Sequence, residues 1–159
     1  GSRFGHSAIQ IDPSSGLWLQ SYPGEGVKFI TEQELEARGK IAATLEIPVD
    51  ISLTQVTSFI GRPFDFNYSW SDDAFYCSEL LAKILQIPTE PMHFNHEVWP
   101  KSYWSKDGQP GLSPDGVYRY LQQKYSLKLI RKKSMESSCE LFPAMSEIPP
   151  SDRVLKYCD

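Results

Sequence analysis

Apolar and polar positions alternate from the start of the chain. In Phe4-Gly-His-Ser-Ala-Ile-Gln-Ile11, His6, Ala8 and Gln10 share one side and Ser7, Ile9 and Ile11 the other, which is the period of a strand. Asp12-Pro-Ser-Ser-Gly16 has turn composition and Leu17–Tyr22 reads as a second strand, so 4–22 predicts a hairpin. A turn at Pro23-Gly-Glu-Gly26 leads to a third strand, Val27–Ile30. Thr31 with Glu34 three residues on is a capping box for a helix over 31–38, ended by Gly39. Residues 40–48 predict a strand closed by Pro48, and Asp50 or Ser52 would cap a helix running to Ile60 before Gly61 and Pro63.

Aromatics then fall at 64, 66, 68 and 70 with polar residues between, which predicts an extended segment with one aromatic face. A helix from about Asp73 to Leu85 follows, with Leu80, Leu81, Ile84 and Leu85 as its inward stripe and Asp72 and Asp73 as caps pointing away from Cys77. Residues 88–111, rich in Pro, His, Trp and Gly, read as irregular chain long and aromatic enough to act as a lid. Ser113-Pro114 starts a helix to about Lys124 with Val117, Tyr118 and Leu121 inward. Ser126–Arg131 predicts a late strand, and 134–159 an irregular C-terminal tail. Strands first, then helices and strands interleaved, give an α+β class, and 159 residues suit one domain with one core.

Composition narrows the functional classes. The chain is 40% apolar and 23% charged, the balance of an ordinary globular protein. Its net charge of -4 argues against nucleic acid, which needs a basic face, and Arg131-Lys132-Lys133 reads as a solvated strand end. No stretch approaches the roughly 20 apolar residues of a membrane span. Gly1-Ser2 reads as the scar of a cleaved tag, so the chain suits either a bacterial cytoplasm or, with a signal segment removed upstream, export. Of the three cysteines, Cys139 and Cys158 flank a Pro-rich tail and could pair in an oxidising compartment, which leaves Cys77 as the free thiol. His93 and His96 stand at i, i+3 in a Pro-flanked segment with no third ligand nearby, a loop rather than a zinc site; the expected metal set is none.

The candidate chemistry gathers at Cys77. A helix N-terminus and a nearby imidazolium both favour thiolate, the nucleophilic form. His6 is the best-placed histidine, on the strand face that carries small Ala8, where a helix end could approach closely. A third group would orient the ring: Gln20 on the adjacent strand, or Glu25 in the turn after it as the acidic alternative. Each residue also has a plainer explanation. A cysteine on an amphipathic helix is usually core, a lone strand histidine is usually structural, and aromatic runs usually pack. From these residues alone the function stays open.

"FGHSAI", "LWLQSYPGEGVKF", "GRPFDFNYSWSDDAFYCSELLAKIL" and "LSPDGVYRY" occur in that order. Together they resemble the YiiX-type family, the permuted branch of NlpC-like, papain-fold cysteine hydrolases, over most of 4–130. The resemblance implies a circularly permuted papain-like fold in which a small antiparallel, barrel-like sheet packs on the helix bearing the nucleophile. It implies Cys77 as nucleophile, His6 as general base and, at the position where the family usually has Glu, Gln20 as the orienting residue. Tyr76, Tyr68 and Trp70 are the candidate substrate or oxyanion contacts, beside the Cys77 N–H. Family members generally carry a Gly-Asp strand upstream of the histidine, where only Gly1 to Arg3 stand here.

The implied function is a cysteine hydrolase cleaving an amide or acyl bond through an acyl-enzyme, with no metal or organic cofactor. The implied substrates are peptides, including cell-wall (murein) peptides, or acyl lipids as in the lecithin:retinol acyltransferase branch. The rival reading, motivated by Gln20 in place of an acid, is a binding module that keeps the fold without turnover.

Overall fold

The computed structural model describes residues 3–125, 131–132 and 153–158. Three strands come first: β1 (His6–Gln10), β2 (Leu17–Tyr22) and β3 (Gly26–Thr31). β1 and β2 form the expected antiparallel hairpin with Ile9 opposite Leu19, and β3 pairs along all of β2 with Lys28 opposite Gln20. The turn between β2 and β3 requires its second glycine. Gly26 has φ +69°, and a Cβ there would stand 2.3 Å from the Arg62 carbonyl oxygen, which accepts from Val27 N–H at 2.8 Å.

Helix α1 (Glu32–Arg38) begins at the capping box, with Thr31 and Glu34 satisfying each other's backbone N–H groups. Strand β4 (Ile41–Ile47) follows. The helix expected to run to Ile60 is a single turn, α2 (Leu53–Val56), capped by Ser52 and Gln55. Beyond it the chain tightens into i→i+3 turns through Arg62, because Gly61 N–H turns away to Val27 O at 2.9 Å. Helix α3 (Cys77–Leu85) starts four residues later than its apolar pattern predicts. Two-residue strands β5 (Glu90–Pro91) and β6 (Pro110–Gly111) pair across the neck of the irregular segment, which contains a 3₁₀ helix at Lys101–Lys106. Helix α4 (Pro114–Tyr125) buries Val117, Tyr118 and Leu121 as expected.

Strands β7 (Arg131–Lys132) and β8 (Arg153–Cys158) complete a six-stranded antiparallel sheet in the order β3-β2-β1-β8-β4-β7. Two expectations are corrected here. The described strands make an open sheet with edges at β3 and β7 rather than a barrel-like closure. Residues 153–158, inside the stretch read as an irregular tail, lie between β1 and β4 with Cys158 opposite His6. Such pairing is distant in sequence and leaves no local periodicity to detect. The proposed partner of Cys158, Cys139, lies outside the described residues, as does most of the expected 126–131 strand.

The sheet separates two apolar clusters. The larger joins Ile9, Ile11 and Leu19 to Leu80 and Leu81 of α3 and to Val117 and Leu121 of α4. The smaller joins Ala8, Trp18 and Ile30 to Leu35 of α1. Fully burying each leucine contributes on the order of 1.5–3 kcal/mol, so α3 is fixed on the sheet chiefly by Leu80 and Leu81 and its first turn is held at one end of β1.

Candidate active site

Cys77 is the first residue of α3, and Tyr76 the extended residue before it. Asp72, expected to cap this helix, is engaged elsewhere. Asp72 pairs with Lys83 at 2.8 Å, and Asp73 N–H donates to Ser71 Oγ. Tyr76 N–H donates instead to Glu79 Oε2 at 3.3 Å. Upstream, buried Asp65 accepts from Asn67 N–H at 2.8 Å and from the Ser69 N–H and hydroxyl at 2.6 and 2.9 Å. Winding the chain around one carboxylate puts Tyr68 and Trp70 at positive φ, 50° and 55°. The alternating aromatic face expected over 64–70 is therefore not formed. Phe64 and Tyr68 line a cleft, Phe66 is 55% exposed, and Trp70 packs on Tyr76 and Lys83 without lining the cleft.

His6 opens β1, and its ring lies between Gln20 and Cys77. Nε2 is 2.8 Å from Gln20 Oε1, so with Nε2–H donating, Nδ1 is the nitrogen left for the Cys77 sulfur, with which the ring is hydrogen-bonded. Tyr22 meets the ring edge-on at 5.6 Å. Ala8 is not what admits the helix end. It belongs to the cluster under α1, whereas Ser7, on the opposite side of β1, faces the thiol.

Charges around the pair pull in opposed directions. Burial works to lower the His6 pKa, but the hydrogen bond and charge of Cys77 and the Gln20 acceptor outweigh it, and the net shift is upward. Burial likewise pushes the Cys77 thiol up. The His6 hydrogen bond and charge, with the N–H and hydroxyl of Ser7, bring it below its ordinary value. The Ser7 hydroxyl is fully buried and has no nitrogen or oxygen partner. Both shifts favour a thiolate–imidazolium pair.

Glu25, the acidic alternative, is engaged by two cations. Its carboxylate is held by Arg38 at 2.7 Å and by Lys28, the Arg38 hydrogen bond foremost in bringing its pKa down to about 2. Gln20, fully buried, accepts from the histidine as a neutral amide, avoiding the cost of burying a carboxylate without a cation.

The pair opens into a cleft of about 550 Å³. One wall is Tyr22, Leu35 and Arg38, and the other is Phe64, Tyr68, Met92, His93, Phe94 and Trp99. Part of the 88–111 segment thus forms a wall, anchored by the β5–β6 ladder. Tyr68 is the hub of that wall, within 4.9–5.7 Å of the rings of Tyr76, Tyr103, Phe94 and Trp99; burial first, then the Cys77 charge, raises its phenol to about 12. The Tyr76 hydroxyl accepts from Leu112 N–H at 3.0 Å, and burial pushes its pKa up. His96 turns away to pair with Asp107 at 2.6 Å and to stack on Trp104, while His93 faces the cleft. Of the expected site residues, His6 meets the thiol, Gln20 meets His6 from behind, Tyr76 and Tyr68 line the cleft beside Cys77, and Trp70 does not. Sequence reading missed Ser7, Tyr22, Arg38, Phe94 and Trp99; only Ser7, adjacent to His6, carried a local signal.

A family profile described as "permuted papain-like amidase enzyme, YaeF/YiiX, C92 family" matches residues 2–135. A curated relative, the uncharacterized protein YiiX of Escherichia coli (strain K12), is 54% identical over 28 residues, which are 18% of this chain and 14% of that protein's length. A crystal structure described as the metalloprotein yiiX from Escherichia coli O157:H7 has a TM-score of 0.52 and 20% identity, covering 82% of this chain and 97% of that one; at this identity it shows the fold alone. Among the described residues no three His, Cys, Asp or Glu side chains converge as a metal set. Matched over most of its length, and sharing its fold with a solved member, the chain belongs to the YaeF/YiiX (C92) family of permuted papain-like amidases.

Proposed function

We propose that this chain is a cysteine hydrolase cleaving an amide bond of a peptide-type substrate, with Cys77 as nucleophile, His6 as general base and acid, and Gln20 as the residue that orients the ring. The carrying observation is the His6 ring, bonded to the Cys77 sulfur on one side and 2.8 Å from Gln20 Oε1 on the other, at the wall of a cleft. The thiolate adds to the substrate carbonyl, whose oxygen gains negative charge near the Cys77 N–H at the positive end of α3. Collapse breaks the C–N bond, and His6 gives its proton to the departing amine. Water then adds to the thioester, passing a proton to His6. The C–S bond breaks and a carboxylic acid leaves.

The test needs no substrate. Iodoacetamide should alkylate Cys77 at pH 6, well below the ordinary thiol pKa of about 8.5, and His6→Ala should abolish that advantage. A rate that rises only near the ordinary thiol pKa in both proteins sinks the reading and favours a binding module. A second reading, an acyl lipid as substrate, is favoured by the apolar wall of Leu35, Phe64, Met92, Phe94 and Trp99. Turnover of nitrophenyl esters that grows with acyl length, alongside no peptide amidase activity, would select it.

A further inference from the structure

The loop that delivers Cys77 lacks the usual fixings. Its N-cap, Tyr76, makes no side-chain cap hydrogen bond, and the Asp72 carboxylate before it is taken by Lys83. In their place is a charged pair inside the helix. Glu79 has a side chain with 0% exposure, and Lys83, one turn on, is 14% exposed. Glu79 Oε1 pairs with Lys83 Nζ at 3.1 Å, and Oε2 takes the Tyr76 N–H. The same ammonium donates to the Ser71 carbonyl at 2.5 Å and to Asp72 at 2.8 Å, and it lies under the rings of Trp70 and Phe75, 5.4 and 5.1 Å from their centroids. One carboxylate and one ammonium therefore grip both ends of the 71–76 loop.

We propose that Glu79 is a positioning residue of the thiol site: with Lys83 it clamps residues 71–76 and so sets where the Cys77 sulfur and N–H stand against His6. The inference rests on the cysteine hydrolase reading. A neutral, apolar pair of this shape would be the cheaper way to fill the same space, since burying an ion pair usually gains little stability. What the charges add is a fixed direction for backbone groups at both ends of the loop.

The clamp is sensitive to protons. Burial raises the Glu79 carboxyl to about 7, against the pull of Lys83 and of the Tyr76 N–H, with Asp65 adding to the rise. The charged and titratable groups around it are Lys83 on its own helix, Asp65 and, through Lys83, Asp72 from the preceding loop, and the Tyr76 phenol and Cys77 at the helix start. Ionisation of Glu79 closes the clamp, so Cys77 reactivity should climb through about pH 7 above the limb set by the His6 pair.

The experiment is the iodoacetamide profile of Cys77 from pH 5 to 9 in wild type, Glu79→Gln, Lys83→Met, the double variant and His6→Ala. Glu79→Gln keeps the size and an acceptor for Tyr76 N–H but cannot ionise. It should lose the step near neutral pH and slow alkylation by about 10- to 100-fold above it. Lys83→Met should do the same, and the double variant should be no slower than Lys83→Met alone. A Glu79→Gln profile that overlays the wild type while His6→Ala is slow overturns the clamp and leaves the hydrolase reading standing. An unaltered His6→Ala overturns both. Should the variants fail to fold, carbon-13 NMR of glutamate-labelled wild type decides: a carboxyl titrating near neutral pH that shifts on Cys77 alkylation supports the clamp, and its absence overturns it.

Discussion

Cys77 stands between two regions built on different principles. On the strand side, His6, Ser7 and Gln20 are carried by hydrogen-bonded ladders, and the His6 ring is met from behind by a neutral amide rather than a carboxylate. On the loop side, Tyr68, Trp70 and Tyr76 sit on irregular chain held by carboxylates, Asp65 around 67–69 and Glu79 with Lys83 around 71–76. A ladder places residues by backbone geometry that any sequence of suitable pattern adopts. A loop has no such default, so it depends on specific side chains accepting specific N–H groups. The reacting groups of the strand side should therefore respond to mutation through chemistry, and those of the loop side through stability and position.

The sharpest break comes from the strand side. His6→Ala should lower turnover, measured with whichever amide or ester proves to be a substrate, by about 10²–10⁴-fold, in a protein that still unfolds cooperatively. On the proposed mechanism Gln20→Ala should cost less, about 10- to 100-fold, because His6 would remain with its orientation loosened. A Gln20→Ala enzyme as slow as His6→Ala would mean that the amide does more than orient. On the loop side, Asp65→Ala should reverse the pattern. It strands three donors and should lower stability by about 2–3 kcal/mol by denaturant unfolding, and a variant of undiminished stability would show that the loop does not need its carboxylate.

The pH dependence of stability separates the sides again. The folded-state pKa of Glu79 is raised, so between the unfolded value near 4.5 and about 7 the folded state holds the extra proton. Stability from this group is greatest at the acid end of that window and falls as pH rises through it. Glu79→Gln should flatten unfolding free energy across that range. His6, also raised, gives stability that is present in acid and lost as pH rises past its folded pKa; the lowered Cys77 pKa gives stability lost as pH falls through its own. The smallest effect expected is that of Ser7→Ala, which should move the onset of Cys77 alkylation to higher pH by less than His6→Ala does.

The same division explains what could be read in the sequence. Period-two alternation located β1 and β2, and a capping box located α1, because these signals are local. His6, Gln20 and Cys77 could be named from strand pairing and family resemblance, and the structure brings them together. The 64–70 run failed as an extended segment because Asp65 recruits N–H groups two and four residues on, a competition that an alternating pattern does not register. The start of α3 failed because Asp72, a good cap by type, is drawn off by Lys83 eleven residues later. Arg38, Phe94 and Trp99 reach the cleft only through tertiary folding, and no spacing announces that.

The placement of β8 has a consequence for how the chain is made. One edge of β1 is paired by residues 153–158, so that edge stays open until more than 140 further residues have been added. At about 5–20 residues per second, β1 waits roughly 7 to 30 seconds for this neighbour, with the facing edge of β4 also bare until then. Unpaired strand edges invite other chains. A nascent chain is thus exposed to sheet-to-sheet association while the intervening residues are added, and His6 gains its β8 neighbour only after residues 153–158 have emerged.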